Sequence, residues 1–303
     1  MTAASRAPAV TAAAPPRLMA LRRFARAFAA NRGGMAGLLI LAAVTVLALA
    51  APLFIHPSDL DVVNAPGPSL APPSARFPLG TDQAGRSVLD LMIWGTRPSL
   101  AIGVIATVLT MILGSSIGLL AGHYGGVVSR VLMAVTDWFI ALPALPLAIA
   151  LAAVLGQGDT SITIAIAVTS WPPTARLIRA QTLAVEARPF IERARALGAR
   201  DLQLLARQVL PNVTPFILVS GTLTIASAIL SDATLTFLGL GNPTDVSWGS
   251  MINQALNLGA VTSGAWWYIV PPGVAIVIVV LGFTLIGRAT ENILNPRISG
   301  PAR

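Results

Sequence analysis

The chain has 303 residues, 55% of them hydrophobic and only 11% charged, with a mean hydropathy of +0.76 and a formal net charge of +8. That balance lies well outside the range of soluble globular proteins and makes the bilayer the expected solvent. All 20 basic residues are arginine and cysteine is absent, which excludes a P-loop lysine, a Schiff base, a Ser/Lys dyad and a thiolate metal site.

His56 and His123 are too far apart to act as paired ligands on one helix, so no metal and no cofactor bound by this chain is expected. The arginine-only, alanine-rich bias fits a GC-rich genome better than a nucleic-acid surface, and no nucleic-acid partner is expected.

A membrane-crossing helix needs about 20 mostly apolar residues. Six stretches meet or approach this, at 35–54, 100–121, 131–155, 161–178, 213–238 and 267–286. The predicted fold class is therefore all-α and polytopic, with about six transmembrane helices. The fourth stretch is the weakest, because Trp171-Pro172-Pro173 interrupts it and Arg176 and Arg179 follow closely. Ala48-Leu49-Ala50 mimics a signal-peptidase site, but the segment before it is long for an n-region, so the first span is expected to stay. The first residues, rich in Ala, Pro and Ser/Thr, read as disordered.

With six crossings both termini share a side, and on that side fall all the arginines except Arg76, Arg86 and Arg97. Basic loops stay in the cytoplasm, so both termini and the loop 176–211 are expected inside. Between the first two spans, residues 56–96 carry Pro57, Pro66, Pro68, Pro72, Pro73 and Pro78 and should form an irregular external segment without its own core.

The most informative stretch is EARPFIERARALGARDLQLLARQVLP, residues 186–211. Pro189 suits the first turn of a helix, Gly198 its exit, Asp201 the N-cap of a second helix and Pro211 its stop. Phe190, Ala194 and Leu197 share one face of the first helix, and Leu202, Leu205 and Val209 one face of the second. Such a hairpin could lie on an anionic membrane surface. The small residues Ala194, Ala196, Gly198 and Ala199 instead favour close approach of another protein.

Within the spans, Gly114, Gly118 and Gly122 repeat a small residue on one helix face, which reads as bundle packing. Asp137 and Asp232 are costly in a membrane segment; each either lines a translocation pathway or caps or pairs locally.

Glu192-Arg193-Ala194, then Gly198, then Val209-Leu210-Pro211 resembles the cytoplasmic signature of the inner-membrane permeases of binding-protein-dependent ABC importers, with Arg193 in place of the usual alanine. FPLGTDQAGRSVLD (77–90) and LTFLGLGNPTDVSWGSM (235–251) are similar to the second permease subunit of the dipeptide/oligopeptide/nickel branch, Ser87 replacing a common Asp.

The resemblance implies a type I ABC importer permease fold in the bacterial inner membrane. It also implies partners: a second, homologous permease forming a heterodimer, two cytoplasmic ATPase subunits that carry the ATP and Mg, and an external solute-binding protein. The residues it assigns to ATPase coupling are Phe190, Ile191, Glu192, Arg193, Ala194, Arg195, Ala196, Leu197, Gly198, Leu210 and Pro211. Asp82, Arg86 and Trp248 are assigned to binding-protein docking, and Asp232 and Asp137 are the candidates for the pathway.

The implied organisation is a cytoplasmic tail (1–34), a first span with the external segment (35–96), a permease domain (97–291) containing the loop 186–211, and a C-terminal tail (292–303). An intramembrane enzyme lacks the residues it would need. An ion-gradient-driven transporter remains the rival, with the two aspartates as relay, although no inverted repeat accompanies them.

Overall fold

The computed structural model describes residues 16–294, so the expectations for the first residues and for the end of the C-terminal tail lie outside the described residues. Helix α1 (Pro16–Ala30) leads into α2 (Arg32–Phe54) through Asn31, whose side-chain oxygen accepts from the Gly34 N–H at 2.9 Å and caps α2. Helix α3 (Val88–Tyr124) begins well before the apolar run that announces it. The Ser87 hydroxyl accepts from the Asp90 N–H at 3.3 Å, so serine fills the capping role, and the helix runs through Pro98.

The predicted third span is two helices, α4 (Gly126–Ala141) and α5 (Ala144–Leu155), bent by 93° where Leu142 and Pro143 break the ladder. Helix α6 (Asp159–Glu186) does the reverse and passes unbroken through Pro172 and Pro173. After it come α7 (Pro189–Ala196), α8 (Asp201–Leu204), α9 (Leu210–Phe237), α10 (Trp248–Asn257) and α11 (Val270–Leu294).

Contacts between helix ends trace the path. The start of α2 lies on the end of α11, where a Cβ on Gly34 would sit 2.7 Å from that of Ala289. The ends of α3 and α6 meet through His123 and Glu186. At the opposite pole the Gly158 N–H donates to Leu240 O at 3.2 Å, joining the start of α6 to the end of α9. Six passes, α2, α3, α4–α5, α6, α9 and α11, thus alternate between a loop end carrying α7 and α8 and a cap end carrying the segment 55–87 and α10.

Among the described residues four single helices are long and apolar enough to cross a membrane, and the bent pair, counted as one span, makes a fifth. The sixth pass, α6, is long enough at about 42 Å but less apolar, because it packs among α3, α4, α5 and α9 instead of facing outward. Its buried Thr163, Thr169 and Thr182 hydroxyls donate to carbonyls one turn back, so they need no outside partner. The outward faces of α2 and α11 present Leu39, Val46, Leu53 and Val277 instead, as a lipid-facing surface requires.

The glycine repeat of α3 lies against α6. A Cβ at Gly114, Gly118 or Gly122 would fall 2.8 Å from Thr174 Cβ, 2.6 Å from the Ala175 carbonyl oxygen and 2.5 Å from Thr182 Cβ respectively. The two backbones approach so closely only because those side chains are missing.

The cap segment is irregular and packs against a core built by the neighbouring helices. Phe77 is buried, and Leu60, Leu70 and Leu79 pack against the core that Val88 and Leu91 of α3 form with Trp248, Met251 and Tyr268. Trp267 Nε1 donates to Thr81 O at 3.2 Å, tying the segment to the start of the last pass. Gly85 has φ +89°, and a Cβ there would lie 2.0 Å from Gly67 O. Gly85→Ala is therefore expected to open the cap, read as faster tryptic cleavage after Arg86 in membranes; an unchanged rate would show that this turn does not hold the segment.

Candidate functional site

The loop end is built from a short helix, a tight exit and a returning helix. Pro189 opens α7, where its missing N–H costs nothing. At the other end the Ala199 N–H reaches Ala194 O at 3.1 Å and the Gly198 N–H reaches Arg195 O at 3.0 Å, a Schellman closure around Gly198 at φ +85°. Both features match the sequence expectation.

The returning helix departs from it. Arg200, not Asp201, is the N-cap of α8. Pro211 does not stop a helix: the chain continues from α8 through a π-helical turn, Leu205–Val209, into α9, with Pro211 in its first turn. A proline inside a continuous helix removes a donor and crowds the carbonyl four residues back. The wider π turn lies where that crowding falls.

The π turn also changes which side chains point inward. Of the expected face, Val209 is fully buried and Leu205 packs against the same core, while Leu202 is 71% exposed and Leu204 is buried in its place. On α7 the buried side chain is Ile191, packed with Leu119, Ile178, Val185, Val209 and Val213 and flanked by the half-buried Phe190. Ala194 is half-buried, and Glu192, Arg193, Arg195 and Ala196 are exposed. Leu197, expected on the inner face, is 89% exposed because α7 ends at Ala196 and Leu197 belongs to the exit turn. Leu210 and Pro211 are exposed at the start of α9. Two bare leucines thus stand on either side of Gly198, whose own surroundings are open for 4 Å.

A polar network that the sequence did not announce ties this loop to the bundle. His123 Nδ1 lies 2.5 Å from Glu186 Oε1, and Arg195 donates to the other Glu186 oxygen at 3.1 Å. His123 Nε2 lies 3.9 Å from Asp201 Oδ1, and the imidazole is only 1% exposed.

The pathway candidates separate. Asp232 is buried in α9, where Thr236 Oγ1 donates to it at 3.2 Å, and it meets no open space in this subunit. Asp137 accepts from Arg176 Nε at 3.2 Å and NH2 at 2.7 Å, and both side chains are more than half exposed on the flank formed by α4 and α6.

The docking candidates are mostly internal. Asp82 holds Arg86 through Nε and NH2, both at 2.7 Å, and accepts from the Arg86 N–H at 2.8 Å. Trp248 donates from Nε1 to Met92 O at 3.2 Å and from its backbone to Ser99 Oγ at 3.3 Å. Asp82 and Trp248 are buried, so these residues shape the cap and do not form an exposed face of it. Asp82 and Arg86 do line the inner wall of a cleft of about 690 Å³ between the cap segment and α10.

The family described as binding-protein-dependent transport system inner membrane component matches residues 114–300, and the N-terminal TM domain of oligopeptide transport permease C matches residues 20–73. The chain is 38% identical to the di/tripeptide transport system permease protein DppC of Pseudomonas aeruginosa, over 93% of this chain and 94% of that one. It is 37% identical to the glutathione transport system permease protein GsiD of Pectobacterium atrosepticum, over 75% and 74%. In fold it is similar to a chain of the MetNI methionine ABC transporter in an inward-facing conformation, with a TM-score of 0.53, 20% identity and coverage of 68% of this chain and 95% of the other. This chain belongs to the inner-membrane permease family of binding-protein-dependent transport systems.

Proposed function

We propose that the chain is one of two distinct permease subunits of an ATP-driven importer of di- or oligopeptides, with residues 97–291 as its permease domain. The observation that carries this reading is the loop end: a short helix closed at Gly198 and anchored by Ile191, with Leu197 and Leu202 bare on either side of an open glycine. Exposed leucines beside an open glycine offer a small apolar contact with room for a partner's surface, and a cytoplasmic ATPase subunit is the partner whose motion such a helix would receive. ATP and Mg belong to that partner. Among the described arginines only Arg76, Arg86 and Arg97 sit at the cap end, which supports a cytoplasmic loop end and cytoplasmic termini.

The cap end, with its cleft beside Asp82 and Arg86, is then the surface for the solute-binding protein. An ion pair more than half exposed on the flank of a membrane bundle does not face lipid, so Asp137 and Arg176 are proposed to meet the second permease or the translocation pathway. Peptide as substrate rests on the di/tripeptide relative.

The test is affinity purification from membranes containing the neighbouring transporter subunits. ATPase subunits should co-purify stoichiometrically, and Leu197→Asp should lower their recovery several-fold. If the chain alone, in vesicles without ATPase, moved solute on a proton gradient, the importer reading would be wrong.

A further inference from the structure

We infer that His123 and Glu186 are positioning residues that make α7 turn as one body with the ends of α3 and α6; this rests on the proposed coupling role of α7. Helix α7 has only eight residues and little stability of its own. Its one fully buried anchor is Ile191, and apolar burial is non-directional: it holds the helix down without fixing its rotation.

The polar network supplies the missing direction. Arg195 lies one turn beyond Ile191, and its guanidinium reaches Glu186 at the end of α6 at 3.1 Å. The other oxygen of the same carboxylate is held at 2.5 Å by His123, near the end of α3, and the imidazole also faces Asp201 of α8 at 3.9 Å. Four helices therefore converge on one carboxylate and one nearly inaccessible ring. Hydrogen bonds to ionised groups are directional and stronger than neutral ones, so a push on α7 arrives at α6 and α3 as rotation and not as slippage around Ile191. Below this point α3 and α6 are locked backbone to backbone by Gly118 and Gly122, and the two helices carry the movement together.

The experiment uses the whole reconstituted transporter with its binding protein and ATPases, and reads ATPase association, thermal stability, ATP hydrolysis and solute moved per ATP. Glu186→Gln keeps shape but not charge, Arg195→Ala removes the tether, and Arg195→Lys keeps its charge. Association and stability should stay at the parent level in Glu186→Gln, while solute moved per ATP falls about fivefold in Glu186→Gln and Arg195→Ala. The double variant should be no worse than either single one, and Arg195→Lys should recover part of the loss.

Additive losses, or losses of hydrolysis and stability in proportion to transport, would overturn the inference in favour of a merely structural contact. Unchanged transport per ATP in both single variants would overturn it as well. Absence of ATP-dependent uptake in the parent would instead strike the importer reading itself.

Discussion

Gly118→Ala in α3 should destabilise the subunit by about 2 kcal/mol, while Gly221→Ala in α9 should be neutral or mildly stabilising. Both substitutions add one methyl group to a glycine within a long helix. The added Cβ at Gly118 would lie 2.6 Å from the Ala175 carbonyl oxygen and 2.8 Å from Ile178 Cβ, whereas at Gly221 the nearest atom is Met111 Cγ at 3.6 Å, an ordinary contact. A backbone oxygen cannot swing aside as the end of a side chain can, so α3 and α6 would have to part along the seam that Gly114, Gly118 and Gly122 create.

Thermal unfolding of the detergent-solubilised assembly would measure the difference, with the Gly118 variant melting several degrees lower. Equal midpoints for the two variants would show that the seam yields easily. They would also remove the basis for treating α3 and α6 as one lever.

The course of the chain was legible where the solvent imposes it. Five of the six apolar stretches stand out because lipid demands apolar outward faces, and α6 is faint because its neighbours, not lipid, surround it. The α4–α5 break at Leu142 and Pro143 was missed because 131–155 reads as one apolar run, whereas Pro172-Pro173 read as an interruption that the packed α6 does not suffer. The start of α3 was missed because hydropathy reports the hydrocarbon-facing part of a helix, and the turns between Val88 and Arg97 extend beyond it.

In the loop, Pro189 and Gly198 were readable since each has one strong local preference. Pro211 was not, because proline suits the first turn of a helix and the residue after a stop equally well. On the returning helix Leu205 and Val209 were read correctly, but Leu202 was misplaced because the π turn breaks the 3.6-residue count between it and Val209. His123 and Glu186 stand 63 positions apart, and nothing local in either neighbourhood announces their meeting. Asp82, Arg86 and Trp248 were assigned to binding-protein docking; Asp82 and Trp248 are buried within the cap, and Asp82 and Arg86 reach only the inner wall of its cleft.

Gly198→Leu should reduce ATPase association and solute uptake by at least about tenfold without affecting membrane insertion. Gly198 lies at φ +85° with no atom within 4 Å of a would-be Cβ. No neighbour in this subunit therefore objects to a side chain, and two costs remain. One is backbone strain of about 1–2 kcal/mol, which any L-residue other than asparagine or aspartate meets in full. The other is bulk placed between Leu197 and Leu202, where the proposed ATPase surface approaches.

A series separates them. Gly198→Asn tolerates the turn and adds modest bulk, Gly198→Ala carries the strain almost alone, and Gly198→Leu carries both. The expected order of uptake is parent, Asn, Ala, Leu, with ATPase recovery following the same order and surface expression constant. Because the position is open within the subunit, parent-like association and uptake in the leucine variant would mean that no partner comes close to Gly198, and the docking surface would have to be sought away from α7.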